Sequence, residues 1–370
     1  MVTGVFSHNV TYVFRPGGVA LPDIPVVHRW PEWTLRGISQ VVFQNNWLTG
    51  LIILGAIFYN SWVYGVACLV GTVTSTVTAV LLKADRNMVK AGLFGFNGAL
   101  LGIGLNAFMS QNFTNGELPS WRLYLYIVLG AAFTAVVFSA LLTAFRPFDI
   151  PALTAPFVIA AWLFIFAVVR FAHLPPGPLL TPGLPSPVQG AGDQYTWTTW
   201  YQGIGKGVGE IFFQDNWIIG FLIVLGILVN SRISAGMALL GSVLALATAI
   251  VLGAPESMVR GGLFGFNAAL TAIALGGFFY VLTVRGFLYT IFGILVTTWV
   301  WAAISVALSP IGMPAFTSAF VIVTLLMLFA KGFFPGLVPV ATEDATTAED
   351  NLARWRRHVE QAEARGPAVG

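Results

Sequence analysis

The sequence predicts an all-α membrane protein: ten transmembrane helices in two inverted five-helix repeats, each with a short half-helix, and a pore between the repeats. Composition, the sidedness of the basic residues and a motif set recurring at a fixed distance predict it. Of 370 residues, 57% are hydrophobic and 9% charged, and the mean hydropathy is +0.82. Soluble proteins need roughly 25% charged residues to clothe their surface, so the apolar excess here faces lipid. Cys68 is the single cysteine and has no intrachain partner, which excludes a disulfide framework.

A helix crosses the hydrocarbon with about 20 apolar residues. Ten such stretches begin near Val42, Trp62, Phe96, Tyr124 and Pro156, then near Phe212, Ala235, Phe266, Gly286 and Ala315. Threading them with both termini in the cytoplasm leaves only Arg122, Arg170, Lys206 and Arg260 outside, out of 18 Lys and Arg. That asymmetry is the positive-inside rule at work, in a cell (plasma or inner) membrane. A sequence pI near 9.1 suggests nucleic acid, but basic residues sorted by membrane side are a topology signal, so no nucleic-acid partner is expected. Met1 to Trp33 is mixed, with Arg15, Arg29 and several prolines, and lacks a cleavable-signal pattern. The first span is then expected to act as its own targeting signal.

Self-comparison supplies the repeat. Gly92-Leu93-Phe94-Gly95-Phe96-Asn97 returns as Gly262-Leu263-Phe264-Gly265-Phe266-Asn267. At the same offset, Phe43-Gln44-Asn45-Asn46-Trp47 returns as Phe213-Gln214-Asp215-Asn216-Trp217, Gln40 aligns with Glu210, and Asn60-Ser61 with Asn230-Ser231. The chain divides into a cytoplasmic N-terminal segment (1–40), a first repeat (41–173), an extracellular linker rich in Pro, Gly and Thr (174–205), a second repeat (206–331) and a cytoplasmic C-terminal tail (332–370). Five spans are an odd number, so the second copy enters from the opposite side. Inverted repeats place their solute site at the repeat interface near the midplane. Lys83 to Gly95 and Ala254 to Gly265 start with charges and end with glycines, with Pro255 suited to a first helical turn. Each reads as a half-helix whose terminal carbonyls line a polar cavity.

Gln40-Val41-Val42-Phe43 with Glu210-Ile211-Phe212-Phe213, the two Gly-Leu-Phe-Gly-Phe-Asn motifs, and Pro151-Ala152-Leu153-Thr154-Ala155-Pro156-Phe157 together resemble the urea transporter family. The resemblance runs from about Gln40 to Lys331. It departs at Asp149-Ile150 and in the second copy of the last motif, Met313-Pro314-Ala315-Phe316-Thr317-Ser318-Ala319-Phe320, which lacks the second proline. Thr317 follows Thr154 at a spacing seven residues shorter than the other pairs. The resemblance implies a homotrimer with one pore per protomer, passive urea transport and no cofactor. It further implies that Phe43, Phe96, Phe213 and Phe266 flatten the pore into slots, and that Leu100 and Leu270 help to wall it. Gln40 and Glu210 would flank the binding sites, Thr154 and Thr317 would form the constriction, and half-helix carbonyls would form acceptor ladders.

The chemistry agrees. Urea is flat, neutral and rich in N–H donors, so a selective passage needs aromatic faces above and below it and oxygens along its edges. Unreplaced hydrogen bonds cost roughly 2–7 kcal/mol per polar group, yet the solute must still leave. Plainer readings compete: a phenylalanine facing lipid, Glu210 in the headgroups, threonine hydroxyls bonded back to their own helices. Asn97 and Asn267 read as buried amides tying a broken helix to its neighbours rather than as solute ligands. An ion-coupled carrier would hold carboxylates deep in the bundle, and no span carries one well inside. Another small neutral solute, such as a short amide, ammonia or water, is the alternative cargo. An intramembrane enzyme is disfavoured because His8, His28, His173 and His358 are scattered outside the spans.

Overall fold

A computed structural model describes residues 29–109, 120–168, 170–171, 173, 177, 180–186 and 193–364. The described residues are helical, and the one β feature among them is an isolated antiparallel bridge between Tyr280 and Pro339. In chain order the helices are α1 (Arg29–Gln40), α2 (Trp47–Asn60), α3 (Trp62–Leu81), α4 (Arg86–Lys90), α5 (Gly95–Met109), α6 (Trp121–Phe145) and α7 (Ala155–Val168). There follow α8 (Trp197–Gly209), α9 (Trp217–Asn230), α10 (Arg232–Val251), α11 (Glu256–Arg260), α12 (Gly265–Ile273), α13 (Val284–Leu308), α14 (Ser318–Phe329) and α15 (Ala348–Ala364).

The repeat is visible in the element bounds. The starts and ends of α2, α3 and α4 return as α9, α10 and α11 at the spacing that separates Gly92 from Gly262, and α6 returns as α13 at the shorter Thr154 to Thr317 spacing. Matching caps set these bounds. Asn46 and Asn216 cap α2 and α9, and Ser61 and Ser231 accept from the backbone N–H groups of Tyr64 and Ser234.

Four helical segments are long and apolar enough to cross a bilayer: Trp62–Leu81, Trp121–Phe148, Arg232–Val251 and Val284–Ile311. The pair Trp197–Phe212 and Trp217–Asn230 is bent by 69° at a short break. Five more apolar helices are shorter: Trp47–Asn60, Gly95–Met109, Ala155–Val168, Gly265–Phe278 and Ser318–Phe333. The protein is an all-α membrane protein. Its shorter helices contribute fully buried Phe157, Phe320, Leu100 and Leu101 but also expose Leu51, Leu163 and Leu326, while α6 and α13 present Trp121, Leu129, Leu288 and Trp299 outward.

The half-helices are not where the charge and glycine pattern puts them. Lys83 to Gly95 and Ala254 to Gly265 hold only the five-residue α4 and α11, followed by turns at Gly92 (φ +77°) and Gly262 (φ +74°). Those two glycines are required twice over. Their backbone lies in the left-handed region, and a Cβ there would collide with the backbone of α1 at Gly37 or of α8 at Gly207. The helices of half length are α1 and α8 themselves, ending at Gln40 and at Gly209 before Glu210. Apolarity misses α1 because it carries Glu32 and Arg36, which neutralise each other at 2.6 Å, with Arg36 donating also to Asn45 Oδ1. It misses α8 because the Thr196–Thr199 capping box starts that helix inside the Thr-rich stretch read as linker. Accordingly residues 29–40 pack against α2, α3 and α5 rather than forming a free cytoplasmic segment.

The C-terminal tail is also docked. Glu349 accepts from Ser231 Oγ (2.7 Å) and Ile233 N (2.9 Å) at the start of α10. Val281 N donates to Val338 O and Val340 N to Phe279 O. Asn351 Nδ2 donates to the carbonyls of Gly277 (2.8 Å) and Phe278 (3.3 Å), where α12 opens into a π-helical turn over Ala274–Phe278. Glycine pairs and π-turns are where helices kink and free their carbonyls, and Gly276-Gly277 replaces Asn106-Ala107 of the uninterrupted α5.

Candidate functional site

Both half-length helices end in the same six-residue pattern. Gln44 N donates to Ser39 O and Phe43 N to Gln40 O, and in the second half Gln214 N donates to Gly209 O and Phe213 N to Glu210 O. This is the Schellman arrangement, whose left-handed position is usually glycine. Here it is Phe43 (φ 61°) and Phe213 (φ 58°). A bulky residue in that region costs about 1–2 kcal/mol, and such strain clusters at functional sites. The turn throws each ring across to the other repeat. Phe43 meets Phe278 (5.1 Å), Phe279 (5.5 Å) and Phe320 (6.1 Å). Phe213 meets Phe108 (6.3 Å), Phe157 (6.2 Å) and Phe316 (6.0 Å). Phe108 and Phe157 are the repeat equivalents of Phe278 and Phe320, so the two cages share two ring positions, while the third differs: Phe279 aligns with Met109, and Phe316, from the same half as Phe213, aligns with Leu153.

The second shared feature precedes α7 and α14. Leu153 (φ 51°) and Phe316 (φ 50°) are again left-handed non-glycine residues. Asn97 and Asn267, on α5 and α12, hold them: each amide donates to that residue's carbonyl (3.5 and 3.0 Å) and accepts from Phe157 N (3.1 Å) or Phe320 N (2.9 Å). The next residues, Thr154 and Thr317, then face each other with hydroxyls 2.6 Å apart, both 3% exposed. Neither is bonded back to its own helix. Two threonines from corresponding motifs of the two halves are thus in direct contact.

The third pair differs. Gln40 donates from Nε2 to the Ala91 carbonyl (2.9 Å), leaving its side-chain oxygen as acceptor. Glu210 opens a 3-10 turn, and its carboxylate makes no hydrogen bond or ion pair with a described residue. Lys206, one turn before it, bonds Asp215 instead (2.5 Å), as Arg36 bonds Asn45 in the first half. Among the described residues no group of three or more His, Cys, Asp or Glu could hold a metal ion.

A family model described as urea transporter matches residues 31–332. The chain belongs to the urea transporter family. Urea transporter 1 of Ovis aries is 34% identical over 338 residues, covering 90% of this chain and 85% of that protein. Urea transporter 1 of Rattus norvegicus is 33% identical over the same shares, and that of Capra hircus 34%. As a urea transporter family member the chain is a transport protein, not an enzyme.

Within this urea transporter fold, Thr154 and Thr317 come together, and Leu100 and Leu270 are fully buried in the central packing. Phe96 and Phe266 pack edge-on against Phe138 (5.6 Å) and Trp301 (6.3 Å) of their own halves. No ring contact joins Phe43 to Phe96 or Phe213 to Phe266 among the described residues. The aromatic cages around Phe43 and Phe213 escape a reading of motifs, since Phe108 and Phe278 lie in none. Their signal is the offset itself, which pairs them.

Proposed function

We propose that the protein conducts urea passively down its gradient, through a pore between two inverted five-span repeats, with Thr154 and Thr317 at its centre. One observation carries the reading: in a chain of the urea transporter family, two corresponding threonines from opposite halves bring their hydroxyls to 2.6 Å. The interface between the repeats is where inverted-repeat transporters hold their solute. The four long helices, the five shorter apolar ones and α9 of the bent pair support a count of ten spans.

Phe43 with Phe96, and Phe213 with Phe266, form the two slots. Gln40 and Glu210 offer acceptor oxygens to the passing N–H donors, and Leu100 and Leu270 wall the passage. The assembly is a homotrimer in the cell membrane with both termini in the cytoplasm, as the family resemblance and the basic-residue sidedness imply.

Reconstituted liposomes test this. Urea should equilibrate and not accumulate, and should pass faster than formamide, acetamide, ammonia or water relative to protein-free vesicles. Uphill uptake driven by a proton or sodium gradient would remove the channel reading. Preference for another of these solutes would replace the cargo.

A further inference from the structure

Gln44, Asn60, Gln214 and Asn230 recur in the repeat but hold no position in the solute path described above. In the structure they form two amide relays that cross between the halves. In the first, Leu48 N and Thr49 N donate to Asn46 Oδ1 (2.9 and 3.0 Å), and Asn46 Nδ2 donates to Asn230 Oδ1 (3.3 Å). Asn230 Nδ2 then donates to Gln44 Oε1 (2.8 Å), and Gln44 Nε2 to Val42 O (2.8 Å). In the second, Ile218 N donates to Asn216 Oδ1 (3.0 Å), Asn216 Nδ2 to Asn60 Oδ1 (3.0 Å), Asn60 Nδ2 to Gln214 Oε1 (2.9 Å) and Gln214 Nε2 to Phe212 O (2.7 Å). Every bond points the same way, from a helix N-terminus to the carbonyl just before the left-handed phenylalanine.

The middle member of each relay comes from the other half. Asn230, at the end of α9, fixes the turn that carries Phe43, and Asn60, at the end of α2, fixes the turn that carries Phe213. A strained turn needs surroundings that over-determine it, and a chain of aligned amides does this through mutually polarised bonds. We propose that Asn230 and Asn60 are positioning residues for the aromatic slots, each holding the slot phenylalanine of the opposite repeat through Gln44 or Gln214. This rests on the slot reading given above. The first relay is the better shielded, with Gln44 and Asn46 buried and Asn230 half-buried, whereas Asn60 is exposed. Asn230 therefore has the larger effect.

The test uses the full chain in liposomes, with urea and the thicker N,N′-dimethylurea as probes. Asn230→Leu should lower the urea to dimethylurea flux ratio about five-fold, the worth of roughly one hydrogen bond. It should add nothing in a Phe43→Ala background but multiply with Phe213→Ala; Asn60→Leu should show the reverse pattern. Equal multiplication in both backgrounds overturns the proposal, because a general loosening of the fold would act on either slot. Gln44→Glu, which still accepts from Asn230 but cannot donate to Val42 O, should reproduce the Asn230→Leu ratio if the leucine variant fails to insert. Amide exchange at residues 39–44 supplies a readout independent of any solute. It should speed up in Asn230→Leu and Gln44→Glu, and unchanged exchange there overturns the relay even if urea passes. A wild type that passes no urea, with faster exchange in both variants, sinks the urea reading and leaves the positioning of Phe43 standing.

Discussion

The two halves are built to one plan, and they differ at three places. The first half ends its half-length helix with Gln40, whose amide is bonded to Ala91 O; at the matching position, just past the end of α8, the second has Glu210, whose carboxylate has no such bond. The first sets Arg36 against a neutral Asn45 and Glu32, the second Lys206 against Asp215. In the first, α5 runs unbroken from Gly95 to Met109, while α12 gives way to a π-helical turn over which the tail is docked. What the halves keep identical is the pair of left-handed phenylalanines, the asparagine clamps and the threonine pair.

The clamps give the largest expected effect. Asn267→Leu leaves Phe316 O and Phe320 N unpaired in the interior, at about 1–3 kcal/mol each. Asn97→Leu strands Leu153 O and Phe157 N, but its donor contact is the longer one (3.5 against 3.0 Å), so it should destabilise less. Thermal unfolding in detergent measures both. Equal losses would mean that the geometric difference between the clamps carries no energy.

Glu210 comes next. A carboxylate accepts but cannot donate, whereas glutamine there can copy the Gln40 to Ala91 bond toward Gly261. Glu210→Gln should therefore keep most of the urea flux and make the halves more alike. Glu210→Leu removes the acceptor and should cost roughly 1–3 kcal/mol of solute stabilisation, a five- to hundred-fold loss. Equal and severe loss in both properly inserted variants would mean that the charge, not the oxygen, matters.

Asn351→Leu frees the carbonyls of Gly277 and Phe278 and should destabilise the second half by about 1 kcal/mol. Hydrogen exchange should rise over 274–281 and stay unchanged over the equivalent end of α5; a rise in both would show that the tail stabilises the whole bundle. The smallest effect belongs to Asp215→Asn, which converts the Lys206 contact into a copy of Arg36–Asn45. Asp215 is 72% exposed, and exposed ion pairs contribute about 0–1 kcal/mol. Stability and its salt dependence should barely change.

Much of this was legible in the residues, because burial in lipid leaves apolar runs and a duplicated fold leaves a duplicated text. The offset that aligned Asn60 with Asn230 and Gln40 with Glu210 also aligned the helix bounds found in the structure. Asn97 and Asn267 read as ties between a broken helix and its neighbours, and they hold the chain at Leu153 and Phe316. The half-length helices were hidden because Glu32 and Arg36 cancel within the protein, so α1 has no apolar run to betray it. The tail was opaque for a similar reason. Its docking depends on Asn351 and Glu349 meeting backbone groups, and backbone groups leave no mark in a sequence. The ring cages were missed because contacts between halves join residues far apart in the chain, such as Phe43 and Phe278.

The crossing of the amide relays sets an order of assembly. Gln44 lies 186 residues ahead of Asn230 in the chain. At about 5–20 residues per second of synthesis, the turn at Phe43 waits roughly ten to forty seconds for the group that closes it. Gln214 finds Asn60 already in place, 154 residues behind it. The first relay is thus begun earlier but closed later than the second. A chain whose synthesis stops between the halves lacks Asn230, and its strained phenylalanine turn keeps only the bonds of its own half.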